Sequence, residues 1–328
     1  MVIPVLKILE VLNYNLRNLR KSNDILMLWG KVNMHGKPDF LYHYTTPKGF
    51  QGILTDKVLH FSHYRYTNDF LEIKYAQEFF KEIAEQQINA SLALEAFPSE
   101  IRKILIDKEV DNIVESIIKS MGDVYLFSCC KHDNKAEQEN GLLSMWRGYG
   151  SGGGLALRLD YEFLEEAVSK LPTCDNEEVQ YFTSEEYKKE EHFRLQKKSV
   201  ESAIEVLIEK FWGRNSRKLE DKWIEHIIEI ATFLKHPGFK EEKEYRFALY
   251  ENSKPSKLEP KIKLADSKNR TRYYVEVPIK PEILVKGIIV GPPLVQDKEF
   301  VKVLQDLCHP LGIKEKDIRK SEISYKGF

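Results

Sequence analysis

The chain has 328 residues, 42% of them hydrophobic and 31% charged, with a formal net charge of −1. That length supports a large core in one elaborated domain or two small ones, and the composition excludes a disordered, collagen-like or membrane-embedded chain. The balanced charge gives no global field towards nucleic acid or an anionic membrane, so only a local basic groove remains open to such partners.

Taken in chain order, Met1–Glu10 lacks a basic n-region, and Lys7 and Glu10 interrupt its apolar run. It does not read as a signal peptide. No stretch reaches the ~18 to 20 apolar residues of a membrane span, so no membrane partner and a cytoplasmic location are expected. Val5, Ile8, Leu12, Leu16, Leu19, Ile25 and Leu26 recur at helical spacing and predict a helical extension over residues 1–38. Phe40–Thr45 is a β-type run. Thr46 and Pro47 then have the character of an N-cap and a first helical residue, opening a helix over Lys48–Leu54. Val58–Ser62 reads as a second strand, and Tyr64–Asp69 as a polar, aromatic loop whose tyrosines could stack on a flat ring. Asn68 and Asp69 can cap the next helix, with Glu72 near the capping-box position. Helices follow over Glu72–Gln87 and Ala90–Lys119.

Asp123–Cys130 is an apolar strand, followed by a charged loop, Lys131–Asn140. Leu142–Tyr149 reads as a short helix, with Trp146 and Tyr149 as core anchors. Gly150–Gly154 is a turn that lacks both GxGxxG and GxxxxGK[ST], so it is a weak phosphate signal. Leu155–Leu159 and Glu178–Phe182 are strand-like, and periodicity predicts a helical insertion at about 185–235. Its cations Lys197, Lys198, Lys210, Arg214, Arg217, Lys218 and Lys222 are interleaved with acids and read as a solvated face. Phe239–Tyr250 reads as a strand and Lys254–Arg272 as an exposed excursion. Tyr273–Pro278, Val285–Val290 and Ile323–Tyr325 are strand-like, with a helix over Lys298–Leu307. Strands at both ends and in the middle, with helices between, give an α+β fold: a mixed central sheet with flanking helices, in one domain over residues 39–328.

Four cysteines, Cys129, Cys130, Cys174 and Cys308, form no CxxC pair. Reduced, mostly buried thiols are expected, and no metal. Two segments carry candidate chemistry. On a strand, His43 and Thr45 share one face and Tyr42 and Tyr44 the other. The helix start that follows is a favourable place for phosphate. On a second strand Glu242, Glu244 and Arg246 fall on one face. Two carboxylates so placed repel, so one pKa is expected to rise, with Arg246 offsetting the effect.

These segments resemble the bacterial domain-of-unknown-function family DUF2971. The resemblance is carried by Leu41–Thr45, Leu59–Ser62, Asn68–Glu72, Phe127–Cys129, Leu143–Gly150, Gly153–Leu157, Lys235–Phe239, Glu242–Arg246 and Gly287–Pro292, in order across about residues 40–325. A more distant likeness is to the ADP-ribosyltransferases, with their order of His strand, short helix, second strand and late ExE strand. It implies that His43 holds the NAD ribose, that Ser62 or Tyr66 supports the nicotinamide side, and that Glu244 stabilises an oxocarbenium ion while Glu242 positions the nucleophile. Tyr44, Thr45, Asn68 and Arg246 complete the expected NAD site. Three readings follow. The first is an NAD-consuming transferase in a toxin or phage-defence setting, acting on a protein or nucleic-acid acceptor. The second is a non-catalytic domain sensing a nucleotide-like small molecule. The third is a hydrolase using Glu242 and Glu244 as an acid–base pair.

Overall fold

The computed structural model describes residues 37–66, 123–150, 153–171, 174–183, 230–251, 261–264 and 271–325, with scattered helical positions between 75 and 111 and between 185 and 228. The expected N-terminal helices, Asn68 and Asp69, and most of the expected insertion lie outside these residues. None of the described helices is long and apolar enough to cross a membrane.

The fold is α+β, built on a ten-stranded sheet that is antiparallel except where β11 (Val285–Val290) meets β12 (Ile318–Lys320). β1 is Phe40–Thr45, β2 Val58–His63, β3 Asp123–Cys130 and β4 Leu155–Asp160. β5 is Cys174–Glu178, β8 Glu244–Glu251, β9 Lys261–Leu264 and β10 Thr271–Pro278. A separate two-stranded parallel sheet joins β6 (Gln180–Tyr181) to β7 (Leu234–Lys235).

The strand β3 organises the rest. Along one edge it pairs with β8 over its whole length, from Asp123 opposite Glu251 to Cys130 opposite Glu244. Its other edge has two neighbours: β2 joins at Leu126 and Tyr125, and β1 joins at Cys130. Both run antiparallel to β3 and hence parallel to each other, so a crossover is required between them. Helix α1, Pro47–Asp56, supplies it. Thr46 caps the helix by accepting from the Gly49 amide, Pro47 opens it, and Lys57 ends it in the left-handed region at φ 54°. The strands β1 and β2 splay apart around this helix, and Phe127, Ser128 and Cys129 face the resulting fork.

Alternation sorts the side chains onto two faces. The back face carries Leu41, Leu157, Leu159, Phe61, Phe127 and Phe247, covered by Phe50 of α1, by Leu164 and Val168 of helix Tyr161–Ser169, and by Val301 and Leu304 of helix Lys298–Cys308. The front face carries Tyr42, Tyr44, Cys130, Ala156 and Ile289 under Met145 and Trp146 of helix Leu143–Tyr149. Trp146 is fully buried, with its indole N–H on the Asn140 carbonyl at 2.9 Å. Glycines at 141, 150, 154 and 291 leave it room, and a Cβ at any of them would meet the Trp146 residue or the backbone packed against it at 3.0 Å or less. Gly150 and Gly154 at the ends of the glycine-rich turn therefore serve the packing of a tryptophan. Tyr149, expected as a second anchor, is 39% exposed, because it faces away from the sheet at the end of a two-turn helix.

Other expectations are corrected by local chemistry. The charged loop contains a helix, Lys135–Asn140, because Asn134 accepts from the Glu137 amide and caps it. The helix Tyr161–Ser169 and the strand β5 were not expected. The helix is only nine residues long, although Tyr161, Leu164 and Val168 keep helical spacing, and β5 holds a single apolar residue, Cys174, so it shows no alternation. β9 lies inside the expected excursion, paired to β10. The C-terminal strand is Ile318–Lys320 rather than Ile323–Tyr325.

Candidate functional site

The acidic motif is not one strand. His236, Pro237 and Gly238 start a 3₁₀ turn, Pro237–Glu242, in which the His236 ring accepts from the Gly238 amide at 3.0 Å. Lys243 follows in the left-handed region at φ 47°, and only at Glu244 does β8 begin. Glu242 and Glu244 therefore do not owe their proximity to strand alternation. Both converge on the Lys235 ammonium, at 2.7 and 3.3 Å. The left-handed Lys243 is held by its own ion pairs to Asp133 and Glu137, at 2.8 and 2.7 Å.

Glu244, Arg246 and Lys235 are 5%, 2% and 2% exposed. Arg246 grips Glu244 in a fork, Nε on Oε1 at 2.7 Å and Nη2 on Oε2 at 2.8 Å, and gives Nη1 to the Thr232 carbonyl at 2.8 Å. The Ser128 hydroxyl donates to the same carboxylate. A carboxylate offers about four acceptor positions, and the two bonds from Arg246, the one from Ser128 and the one from Lys235 fill them. Burial alone would raise the Glu244 pKa. The charges of Arg246 and Lys235, with the bonds from Arg246 and Ser128, outweigh it and hold the group well below the usual carboxylate range. At Glu244 the expected rise from carboxylate repulsion does not occur, because Arg246 pairs with it and the Lys235 ammonium lies between the two acids. Around this core the Glu244 amide donates to the Tyr181 hydroxyl at 2.9 Å, and Lys235 lies over the Phe239 ring at 4.7 Å.

His43 sits in the fork. Its Nδ1 meets the Ser128 carbonyl at 3.0 Å and its ring stacks on Phe127 with centroids 4.5 Å apart. Burial lowers its pKa, with the carbonyl bond opposing, so the ring is neutral at pH 7. A carbonyl only accepts, which assigns the proton to Nδ1 and leaves Nε2 as a bare acceptor.

The register separates the two expected halves of the site. His43 lies opposite Leu157 on the back face, while Tyr42 lies opposite Cys130, and Cys130 opposite Glu244, on the front. His43 and Glu244 point to opposite faces and do not share one cavity. What joins them is Ser128, whose carbonyl takes the imidazole and whose side chain takes the carboxylate. It is exposed in mid-strand, with Phe127 and Cys129 buried on either side.

The remaining expected residues divide. Ser62 lies half-buried on the front face, two positions along from Ser128 by register. Tyr44 is buried, its hydroxyl accepting from the Leu142 amide at 2.6 Å and bonded to His132 Nε2 at 3.1 Å, which makes it a core group. Thr45 is half-buried on the back face, against Gly49. Arg246 is committed inward to Glu244 and Thr232, so it is not offered to a ligand. Tyr66 closes a short 3₁₀ turn, and its side chain, like Asn68, lies outside the described residues.

Four residues without an expected role prove central: Ser128, Lys235, Tyr181 and His132. Two of them, Ser128 and Lys235, sat inside the quoted family segments, and that was the available signal. His132 stacks flat on Tyr42 at 3.6 Å, and burial pushes its pKa down to about 3. Its Nδ1 is buried without a hydrogen-bond partner. The four cysteines are free thiols, three of them buried. Among the described residues no cluster of His, Cys, Asp and Glu is arranged to hold a metal ion.

Fold and site together define an α+β protein with a forked, mostly antiparallel sheet and a neutral buried ion cluster beside the fork. Residues 145–247 match the model of the family described as a protein of unknown function, DUF2971, which supports the family resemblance read from the sequence. The matched stretch runs from Met145 to Phe247 and so includes Trp146, Lys235 and the Glu242–Arg246 segment. No curated protein and no solved structure matches the chain.

Proposed function

We propose that the protein binds a nucleotide of the NAD type at the sheet fork and that holding this ligand, rather than acid–base turnover, is the task of the site. The observation that carries the reading is the exposed Ser128 at a break in the sheet, between a neutral imidazole and a carboxylate whose acceptor positions are all taken. An exposed polar group at a strand fork, next to the capped start of a helix, suits a ligand with hydroxyl, amide and phosphate groups. A saturated, buried Glu244 suits a fixed scaffold better than a proton carrier, since a general acid or base needs a free position and a pKa near the working pH. The same ionised Glu244, bound with Glu242 to one lysine, speaks against a hydrolytic acid–base pair.

ADP-ribosyl transfer is the second reading, and one observation favours it. Glu244 stays a carboxylate throughout the neutral range, as a group that stabilises positive charge developing on a ribose must. Arg246 or Lys235 would have to yield an acceptor position to the ligand, and a protein or nucleic-acid acceptor would then complete the reaction.

Calorimetric titration with NAD, ADP-ribose and AMP, run beside an assay for free nicotinamide, separates the readings. Binding without nicotinamide release is expected. Release by the wild-type chain would move the assignment to the transferase, and failure of all three nucleotides to bind would overturn the proposal.

A further inference from the structure

The turn that carries Glu242 is held by a helix too short to hold itself. Helix Lys135–Asn140 has six residues, and isolated helices below ~12 residues are marginal in water. The last carbonyls of a helix have no partner within it. Here the C-terminal tail supplies donors for two of them. Arg319 Nη1 donates to the Gln138 carbonyl at 3.0 Å, and Ser321 Oγ to the Asn140 carbonyl at 2.7 Å. The Trp146 indole takes the second lone pair of the Asn140 carbonyl. The Glu322 amide donates to Asn140 Oδ1 at 2.7 Å. Ile323 and Tyr325 pack against the Trp146 cluster, while Glu322 and Ser324 are exposed.

The same helix grips the turn from its other end. Glu137 takes the Lys243 ammonium on its two oxygens, at 2.7 and 2.9 Å, and is itself held by the Asp133 amide and the Asn134 side chain. Lys243 is the left-handed residue between Glu242 and Glu244. We propose that residues 319–325 form a latch: they cap helix Lys135–Asn140 from outside and, through Glu137 and Lys243, fix the turn that sets Glu242 on Lys235. Glu244 is held separately, by the pairing of β8 with β3 and by the Arg246 fork. Release of the tail therefore loosens Glu242 and leaves Glu244 in place. Nothing in this coupling depends on a nucleotide at the fork.

Hydrogen–deuterium exchange of the full chain and its variants tests the latch, since local opening is read segment by segment. Ser321→Ala is expected to speed exchange about 5-fold in residues 135–146 and 237–243, the factor of one lost hydrogen bond. Ser321→Thr keeps the hydroxyl and is expected to restore wild-type rates. Truncation after Lys320 should raise the factor above ~10 in the same two segments, with residues 245–250, 58–63 and 273–278 unchanged. If the truncated chain does not fold, Ser321→Ala decides alone. In a Glu137→Gln background, Ser321→Ala should add nothing in residues 237–243, because the connection is already cut. Unchanged exchange in residues 237–243 of Ser321→Ala would overturn the proposal. So would a uniform rise that includes 58–63 and 273–278, which marks global destabilisation, or an undiminished effect of Ser321→Ala in the Glu137→Gln background.

Discussion

Replacing Glu244 by Gln removes one charge from a cluster in which Lys235 and Arg246 balance Glu242 and Glu244. The variant would hold two buried cations against one acid, and its amide would turn a donor towards Arg246 or Lys235. Removing one partner of a buried pair costs about 3 to 5 kcal/mol, mostly because the remaining charge is left uncompensated. Set against a typical domain stability of about 5 to 15 kcal/mol, that is a large share of the total. Replacing both Glu244 and Arg246 by Met leaves Lys235 with Glu242, again neutral, and is expected to lie within about 2 kcal/mol of wild type. Urea unfolding of wild type, Glu244→Gln, Arg246→Met and the Glu244→Met/Arg246→Met variant measures these differences. A Glu244→Gln loss below about 1 kcal/mol, the size expected of a surface pair, would refute the picture of a dry, closed cluster. The same result bears on activity assays. A lost activity in Glu244→Gln identifies a catalytic group only if the variant is first shown to be folded.

Other consequences concern pH and packing. Glu244 titrates below its unfolded value, so its contribution is complete above ~4.3 and is lost as pH falls through the lower folded value. His132, pushed down to about 3, costs stability as soon as pH drops below ~6.5, because only the unfolded chain takes up the proton. Urea midpoints should therefore fall steadily from pH 7 to pH 4, and His132→Phe should flatten the upper part of that curve. A flat wild-type profile down to pH 4 would contradict the His132 shift, and a midpoint that does not fall further below pH ~4 would contradict the Glu244 shift. Trp146→Ala is expected to cost about 3 to 5 kcal/mol, since the ring is fully buried and its glycine neighbours cannot close the cavity. Gly141→Ala should cost more than ~1 kcal/mol, because φ is 75° and the added Cβ would lie 2.6 Å from the indole. A melting temperature unchanged in either variant would contradict the packing described.

The strands were legible where side chains alternate or run apolar, as in β1, β3, β4 and β11, and the start of α1 was legible from Thr46 and Pro47. What failed did so for physical reasons. The alternation of Glu242, Glu244 and Arg246 imitates a strand, but Pro237 and Gly238 close a 3₁₀ turn and Lys243 takes a left-handed conformation that no periodicity reveals. Strand parity correctly put His43 opposite in sense to Tyr42 and Tyr44. It could not say which of those faces Glu244 would share, because that depends on the register of β3 against β1 and β8. Lys235 stands only three residues before the glycine of the turn, and its role as the cation shared by both acids is a tertiary fact. Ser128 was one polar residue in an apolar strand, a signal visible in the sequence that acquires meaning only from the fork beside it.

Hydrogen–deuterium exchange of the full chain, with and without saturating NAD, addresses the fork most directly. Slower exchange confined to peptides covering Phe40–Thr45, Val58–His63 and Asp123–Cys130 is predicted. Bound dinucleotide with unchanged exchange across Phe127–Cys129, or protection centred elsewhere in the chain, would contradict it.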